Sequence, residues 1–141
     1  MPFDRIIYFG DSLTDSDEFF SLSSQLLLVP LPSSFFGYDG QFSNGDVYAD
    51  IAPTILGIGA DESVNYAVGG ARAVGTNPVG QQLAASPLAA PNPDPDLVAF
   101  DSNLTAQVAR FAEDVPGLGD LSGSAASFLI GLNDFNGLSR T

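Results

Sequence analysis

The chain has 141 residues, the length of one ordinary domain, and 45% of them are hydrophobic, enough for a sizeable core. Only four basic residues stand against 17 acidic ones, a formal net charge of −13. That balance argues against nucleic-acid binding and against docking on an anionic membrane, because both need clustered Lys and Arg. Cysteine and histidine are both absent, so a disulfide framework, a thiolate metal site and an imidazole metal site are excluded within the chain.

Arg5-Ile6-Ile7-Tyr8-Phe9 is a short β-rich apolar run ending at Gly10. It predicts a strand buried on both faces, central in a parallel sheet. Asp11 to Asp15 reads as a tight polar loop. Phe19 to Val29 has apolar residues at mixed spacing and predicts a helix stopped by Pro30 and Pro32. Ser33 to Gly45, rich in Gly, Ser, Asn and aromatics, reads as a loop. A further helix is expected from about Val47 to Leu56, capped by Asn44 or Asp46 and weakened or kinked at Pro53. Ser63 to Val68 predicts a second strand, closed by Gly69-Gly70. Ala73 to Phe100 carries Pro78, Pro87, Pro91, Pro93 and Pro95. It predicts a long surface excursion with little regular structure. Leu104 to Val115 gives the strongest helix signal, with Leu104, Val108, Phe111, Ala112 and Val115 on one face. Ser102 or Asn103 is expected to cap it and Pro116-Gly117 to end it. Ala125 to Ile130 predicts a third strand, followed by Gly131-Leu132-Asn133-Asp134. No internal repeat is visible. No apolar run approaches the ~20 residues of a membrane helix, and no signal-peptide pattern is visible.

Strands alternating with helices predict right-handed crossovers and a parallel sheet with helices on its faces. In such sheets ligands bind at the carboxyl ends of the strands. Three polar, Gly-containing segments follow predicted strand ends, so they are expected to converge on one edge of the sheet. Ser12 lies two residues beyond Gly10, where a hydroxyl can be presented as a nucleophile. The competing role for it is to cap the following helix. The second glycine of Gly-x-Ser-x-Gly is missing, which disfavours the α/β-hydrolase elbow. Gly69 lets the backbone approach a ligand and offers an N–H to a developing oxyanion, or else it simply makes a turn. Asn133 can donate its amide to the same oxyanion, or serve as a turn residue or cap. Asp134 can cap or hold Asn133 in orientation.

Together these segments resemble the GDSL esterase/lipase family, the SGNH hydrolases. Phe9-Gly10-Asp11-Ser12-Leu13 is similar to the family's first block, Asn65-Tyr66-Ala67-Val68-Gly69-Gly70-Ala71 to its second, and Gly131-Leu132-Asn133-Asp134 to its third. Tyr38 to Gly45 resembles an aromatic, Gly-rich stretch of larger bacterial, often autotransporter-linked, members. The resemblance runs from Phe3 to Asn136. It implies a flavodoxin-like three-layer α/β/α sandwich and a carboxylic ester substrate: a lipid, a small ester or an acylated glycan. It implies Ser12 as nucleophile, with the Ser12 N–H, the Gly69 N–H and the Asn133 side chain as oxyanion donors. It implies no cofactor and no metal, and it favours a secreted or cell-surface location.

The chain departs from the family where the base should be. A serine hydroxyl needs an adjacent general base, most often His. The family's Asp-x-x-His block is not in this sequence. The chain is therefore expected to be one incomplete hydrolase domain over 1–141, its C-terminal part missing and an apolar sheet edge open to a complementing segment or to self-association. Asp11, Asp15 and Asp134 are the substitute bases at hand, but an exposed carboxylate with a pKa near 4 is a poor one. Two other functions compete. One is a non-catalytic module that keeps the pocket and binds acyl or glycan ligands. The other is a calcium module built on Asp11, Asp15, Asp17 and Glu18, or on Asp94 and Asp96, although the spacing lacks the glycine and distal Glu of an EF-hand. Asn103-Leu104-Thr105 forms a glycosylation sequon, a frequent chance match.

Overall fold

The computed structural model describes residues 3–136. Three parallel strands form one sheet: β1 (Arg5–Gly10), β2 (Ser63–Asn65) and β3 (Ser124–Leu129), in the order β2-β1-β3. Ile7 sits opposite Val64 on one side and Ala126 on the other. The central position expected for the first strand is therefore observed. Its alternation explains the layers. Ile6 and Tyr8 face a core closed by Val47, Ala49 and Ile58, around the helix α2 (Tyr48–Leu56). Ile7 and Phe9 face the other way, against Tyr66 and against Leu104 and Phe111 of α5 (Leu104–Leu118). Phe9 stacks on both Tyr66 and Phe128, with centroids 5.6 and 4.8 Å away. Helices thus cover both faces of a parallel sheet, the flavodoxin-like arrangement. In the order 2-1-3 the chain reverses direction across the sheet between β1 and β3, and ligand crevices open at such a switch point.

The second strand is regular over three residues only, but its pairing runs on. The Tyr66 N–H donates to the Tyr8 carbonyl at 2.9 Å and the Val68 N–H to the Gly10 carbonyl at 3.2 Å. The extended run therefore reaches the Gly69-Gly70 turn as expected.

Five local expectations are corrected. The first helix, α1 (Glu18–Leu26), stops before Val29. Leu27 turns extended to bridge Ala89, and the Ala90 N–H and Leu28 N–H bond to Leu26 and Leu88 carbonyls at 2.8 Å each. Tertiary bonds, not Pro30, end it. Neither Asn44 nor Asp46 caps α2: Val47 is its N-cap residue, and the Asp50 carboxylate reaches back to the Val47 N–H at 3.1 Å. Segment 73–100 is not merely a surface excursion. It contains α3 (Val79–Ala84) and α4 (Pro95–Val98), and Val79 and Leu83 pack with Leu22, Leu26 and Leu27 in a third buried cluster. Finally, α5 runs through Pro116 to Leu118, and Asn103 caps it by accepting the Ala106 N–H. The carbonyl that Pro116 leaves without an N–H partner belongs to exposed Ala112, where water can reach it. Its inward face also differs: Val108 and Ala112 are exposed, and the one fully buried residue is Gln107.

Candidate active site

Apart from Ser23 of α1, the polar residues that fold inward gather at the carboxyl end of β1. Asp11, Thr14, Asp15, Ser102, Asn103 and Gln107 are all at most 2% exposed. Buried polar groups must find hydrogen bonds, and these bonds assemble the site.

Gln107 clamps the end of β1. Its Oε1 accepts the Gly10 N–H at 2.9 Å, and its Nε2 donates to the Gly10 and Ser102 carbonyls at 2.8 and 2.9 Å. The backbone two residues before Ser12 is thus held from a helix almost a hundred positions away. The sequence reading missed Gln107 because it counted only apolar residues on that helix. Beyond Gly10 the chain makes a tight turn, with the Thr14 and Asp15 N–H groups both donating to the Asp11 carbonyl at 3.0 Å. Ser12 rides on this turn, partly buried.

Ser12 is not the cap of α1; Asp15 does that work. Its Oδ1 accepts the Glu18 N–H at 2.7 Å and its Oδ2 the Phe19 N–H at 3.1 Å. The same Oδ2 accepts the Gly69 N–H at 2.7 Å. One buried carboxylate therefore joins the Ser12 loop, the start of α1 and the end of the β2 run. Burial pushes its pKa up to about 6 from 3.8, against the lowering effect of the Gly69, Phe19 and Glu18 N–H bonds; Glu18 adds repulsion. Burial also raises the pKa of Asp11, partly opposed by the Leu13 N–H. The expectation of exposed carboxylates therefore fails for Asp11 and Asp15. It holds better for Asp134, whose carboxyl is held low, first by the Ala73 N–H.

Gly69 was expected to aim its N–H at an oxyanion. In the structure that N–H is directed at Asp15 instead. Its glycine identity has a packing cause: a Cβ there would overlap the Phe42 ring, which lies over the turn beside Phe19. Gly70, with φ +78°, needs glycine for the left-handed turn. Among the described residues, the Ser12 and Gly70 N–H groups have no acceptor.

Asn133 follows β3 in a short 3-10 segment (Leu132–Phe135). Its Nδ2 donates to the Ala71 carbonyl at 2.9 Å, and one amide hydrogen remains for another acceptor. Asp134 accepts the Ala73 N–H at 2.8 Å and the Val74 N–H at 3.1 Å. The third motif therefore grips the loop after the second. Gly69, Gly70 and Asn133 share one cleft of about 310 Å³, which Phe19, Val79 and Leu83 also line. Ser12 does not line that cleft; it lies on the neighbouring loop, tied to the cleft through Asp15. The sequon residue Asn103 is buried and occupied as a helix cap. Asp94 likewise caps α4. Among the described residues no group of three or more His, Cys, Asp or Glu side chains is placed to hold a metal ion.

A parallel α/β sheet with polar loops bound together at its switch point defines the flavodoxin-like class, in which ligands bind at the carboxyl ends of the strands. Within that class the chain is specific: the family model described as GDSL-like Lipase/Acylhydrolase matches residues 6–140. The chain belongs to that family, whose members act on ester bonds. No curated protein matches it at a significant level.

Proposed function

We propose that this chain carries the nucleophile and oxyanion half of a serine ester hydrolase, with Ser12 as nucleophile. The observation that carries the proposal is the set of uncommitted donors on three mutually bonded loops: the Ser12 N–H, the Gly70 N–H and the second Asn133 amide hydrogen. Ser12 Oγ attacks the ester carbonyl, and the carbonyl oxygen takes up charge as the tetrahedral centre forms. N–H groups fixed in advance stabilise that charge without reorganising; each is worth ~3 kcal/mol in the transition state. Gly70 takes the donor role expected of Gly69, because the Gly69 N–H is committed to Asp15.

The chain has no histidine, so the base comes from outside it. Asp15 is a poor substitute, since its oxygens already accept three N–H groups. Asp134 is one too, with a lowered pKa. A segment bearing an Asp-x-x-His block would supply the base. The place for it is the outer side of β3, where Phe128 and Leu129 are 57% and 43% exposed and no described strand pairs.

Hydrolysis of p-nitrophenyl acetate, with Ser12→Ala as the control, tests this reading. The chain alone is expected to match the control. Added imidazole should produce a component that only the Ser12 protein shows, because it replaces the missing base. Equal rates in both proteins at every imidazole concentration would refute the nucleophile assignment. A second reading, a non-catalytic module that binds acyl or glycan ligands, is favoured for the isolated chain by its lack of histidine. It predicts ligand binding with no imidazole-dependent turnover.

A further inference from the structure

Charge is spread unevenly along this chain. Charged residues make up 15% of it, yet Phe19 to Tyr38 and Ala73 to Pro93 contain none. The fold brings these two uncharged stretches together. Leu27 bridges Ala89, the Leu28 N–H donates to the Leu88 carbonyl, and α1 packs on Val79 and Leu83 of α3. Their joint outer surface is apolar: Leu28, Val29, Leu31, Phe35, Phe36 and Leu88 are all exposed. Phe35 and Phe36, edge to face with centroids 5.3 Å apart, are the most exposed of them, at 88% and 75%. Large apolar side chains gathered on one face with no charge among them mark an interaction surface.

Beside the aromatic pair the same face has a hollow of about 190 Å³. Phe20, Val29, Pro30 and Tyr38 line it, and so does Ser34, the residue before Phe35. An apolar cavity of about 150 Å³ takes up benzene, so the hollow has room for a phenyl ring. A two-fold interface requires each copy to present both the knob and the hole on one patch. Here they are neighbours. A lipid surface would ask only for the exposed rings; the adjoining hollow fits a second copy.

Electrostatics selects the same face. Two copies of a chain with net charge −13 repel each other. The uncharged stretches can be covered without burying a carboxylate, which would be costly. Asp39 also lines the hollow, and it is exposed. The area is sufficient as well. At ~200 Å² for a fully exposed large apolar side chain, Tyr38 and the six exposed residues above offer roughly 700 Å² per copy. A pair would bury about 1,400 Å², the size of a specific interface.

We propose that this uncharged face is the interface of a two-fold symmetric dimer, in which Phe35 of each copy fills the hollow between Phe20, Val29 and Tyr38 of the other. The interface is separate from the outer side of β3 and does not depend on the role of Ser12.

Sedimentation velocity of the full chain from ~1 to ~200 µM tests the proposal. A monomer–dimer equilibrium is expected, tightening as salt screens the net charge. Phe35→Asp changes an exposed position. It should leave the far-UV circular dichroism unchanged and weaken dimerisation at least ~30-fold. To locate the interface, a nitroxide is attached at Ser24→Cys, which introduces the chain's only thiol at an exposed position one turn of α1 from Phe20. This protein is mixed with isotope-labelled native chain. Intermolecular broadening should fall on the amides of Phe20, Val29 and Tyr38 and spare those of β3. A chain that is monomeric throughout the range, a dimer that Phe35→Asp leaves intact, an affinity that falls with salt, or broadening centred on β3 would each overturn the proposal. So would a monomer that binds phosphatidylcholine vesicles through Phe35, which would assign the face to a lipid surface.

Discussion

Replacing Asp15 by Asn isolates the electrostatics of the carboxylate that joins the loops. In the folded chain this group sits at about 6 instead of its ordinary 3.8, chiefly because it is buried. Ionising it therefore costs about 3 kcal/mol more in the folded state than in the unfolded one. The sign follows from the direction of the displacement. Below the unfolded value Asp15 is protonated in both states and the penalty is absent. As pH rises through the folded value the penalty develops, so this group's contribution to stability is lost between the two values and stays lost above about 6. In the asparagine variant nothing ionises there. One amide oxygen replaces two carboxylate oxygens, so at least one of the Gly69, Glu18 and Phe19 N–H groups loses its acceptor, at about 1–3 kcal/mol. Near neutral pH the two effects roughly offset. The pH dependence does not: from about pH 7 to about pH 3.5 the native chain should gain about 3 kcal/mol relative to Asp15→Asn. Urea unfolding followed by far-UV circular dichroism measures this, and taking the difference between the two proteins cancels the other carboxylates. A stability difference that stays constant across that range would mean that burial does not raise the Asp15 pKa in the folded chain.

Gln107→Leu should destabilise the fold by about 3 kcal/mol, because it strips partners from the buried Gly10 N–H and carbonyl while keeping the helix apolar; thermal unfolding reads this directly. Gly69→Ala should cost about 1–3 kcal/mol through overlap with the Phe42 ring. Adding Phe42→Ala should recover part of that loss, a coupling visible in a double-mutant cycle. Asn133→Ala should lower the imidazole-dependent, Ser12-dependent rate by about 10²-fold if its amide serves the oxyanion. An unchanged rate would remove Asn133 from that role.

The sheet was legible because β1 is unambiguous: Ile6 to Phe9 must be covered on both sides, and only a central strand does that. The three motifs were legible because each follows a strand end, and strand ends share one edge. What could not be read are the bonds between distant segments. The Leu27–Ala89 bridge ends α1 earlier than its proline does, and nothing local announces it. Gln107 looks like a surface residue until its amide is seen on Gly10. Asp15 looks like one more acid in a very acidic chain. Only the fold shows that it takes the Gly69 N–H. Proline content suggested that 73–100 was surface, yet Val79 and Leu83 had apolar partners in α1 to reach.

Whether Ser12 is the attacking group can be read from the mass of the intact protein after brief exposure to p-nitrophenyl acetate with imidazole, followed by acid quenching. With Ser12 as nucleophile, one acetyl group is added, located on the Ser12 peptide and missing from Ser12→Ala. Acetyl groups scattered over other residues, or the same labelling in the Ser12→Ala protein, would contradict it.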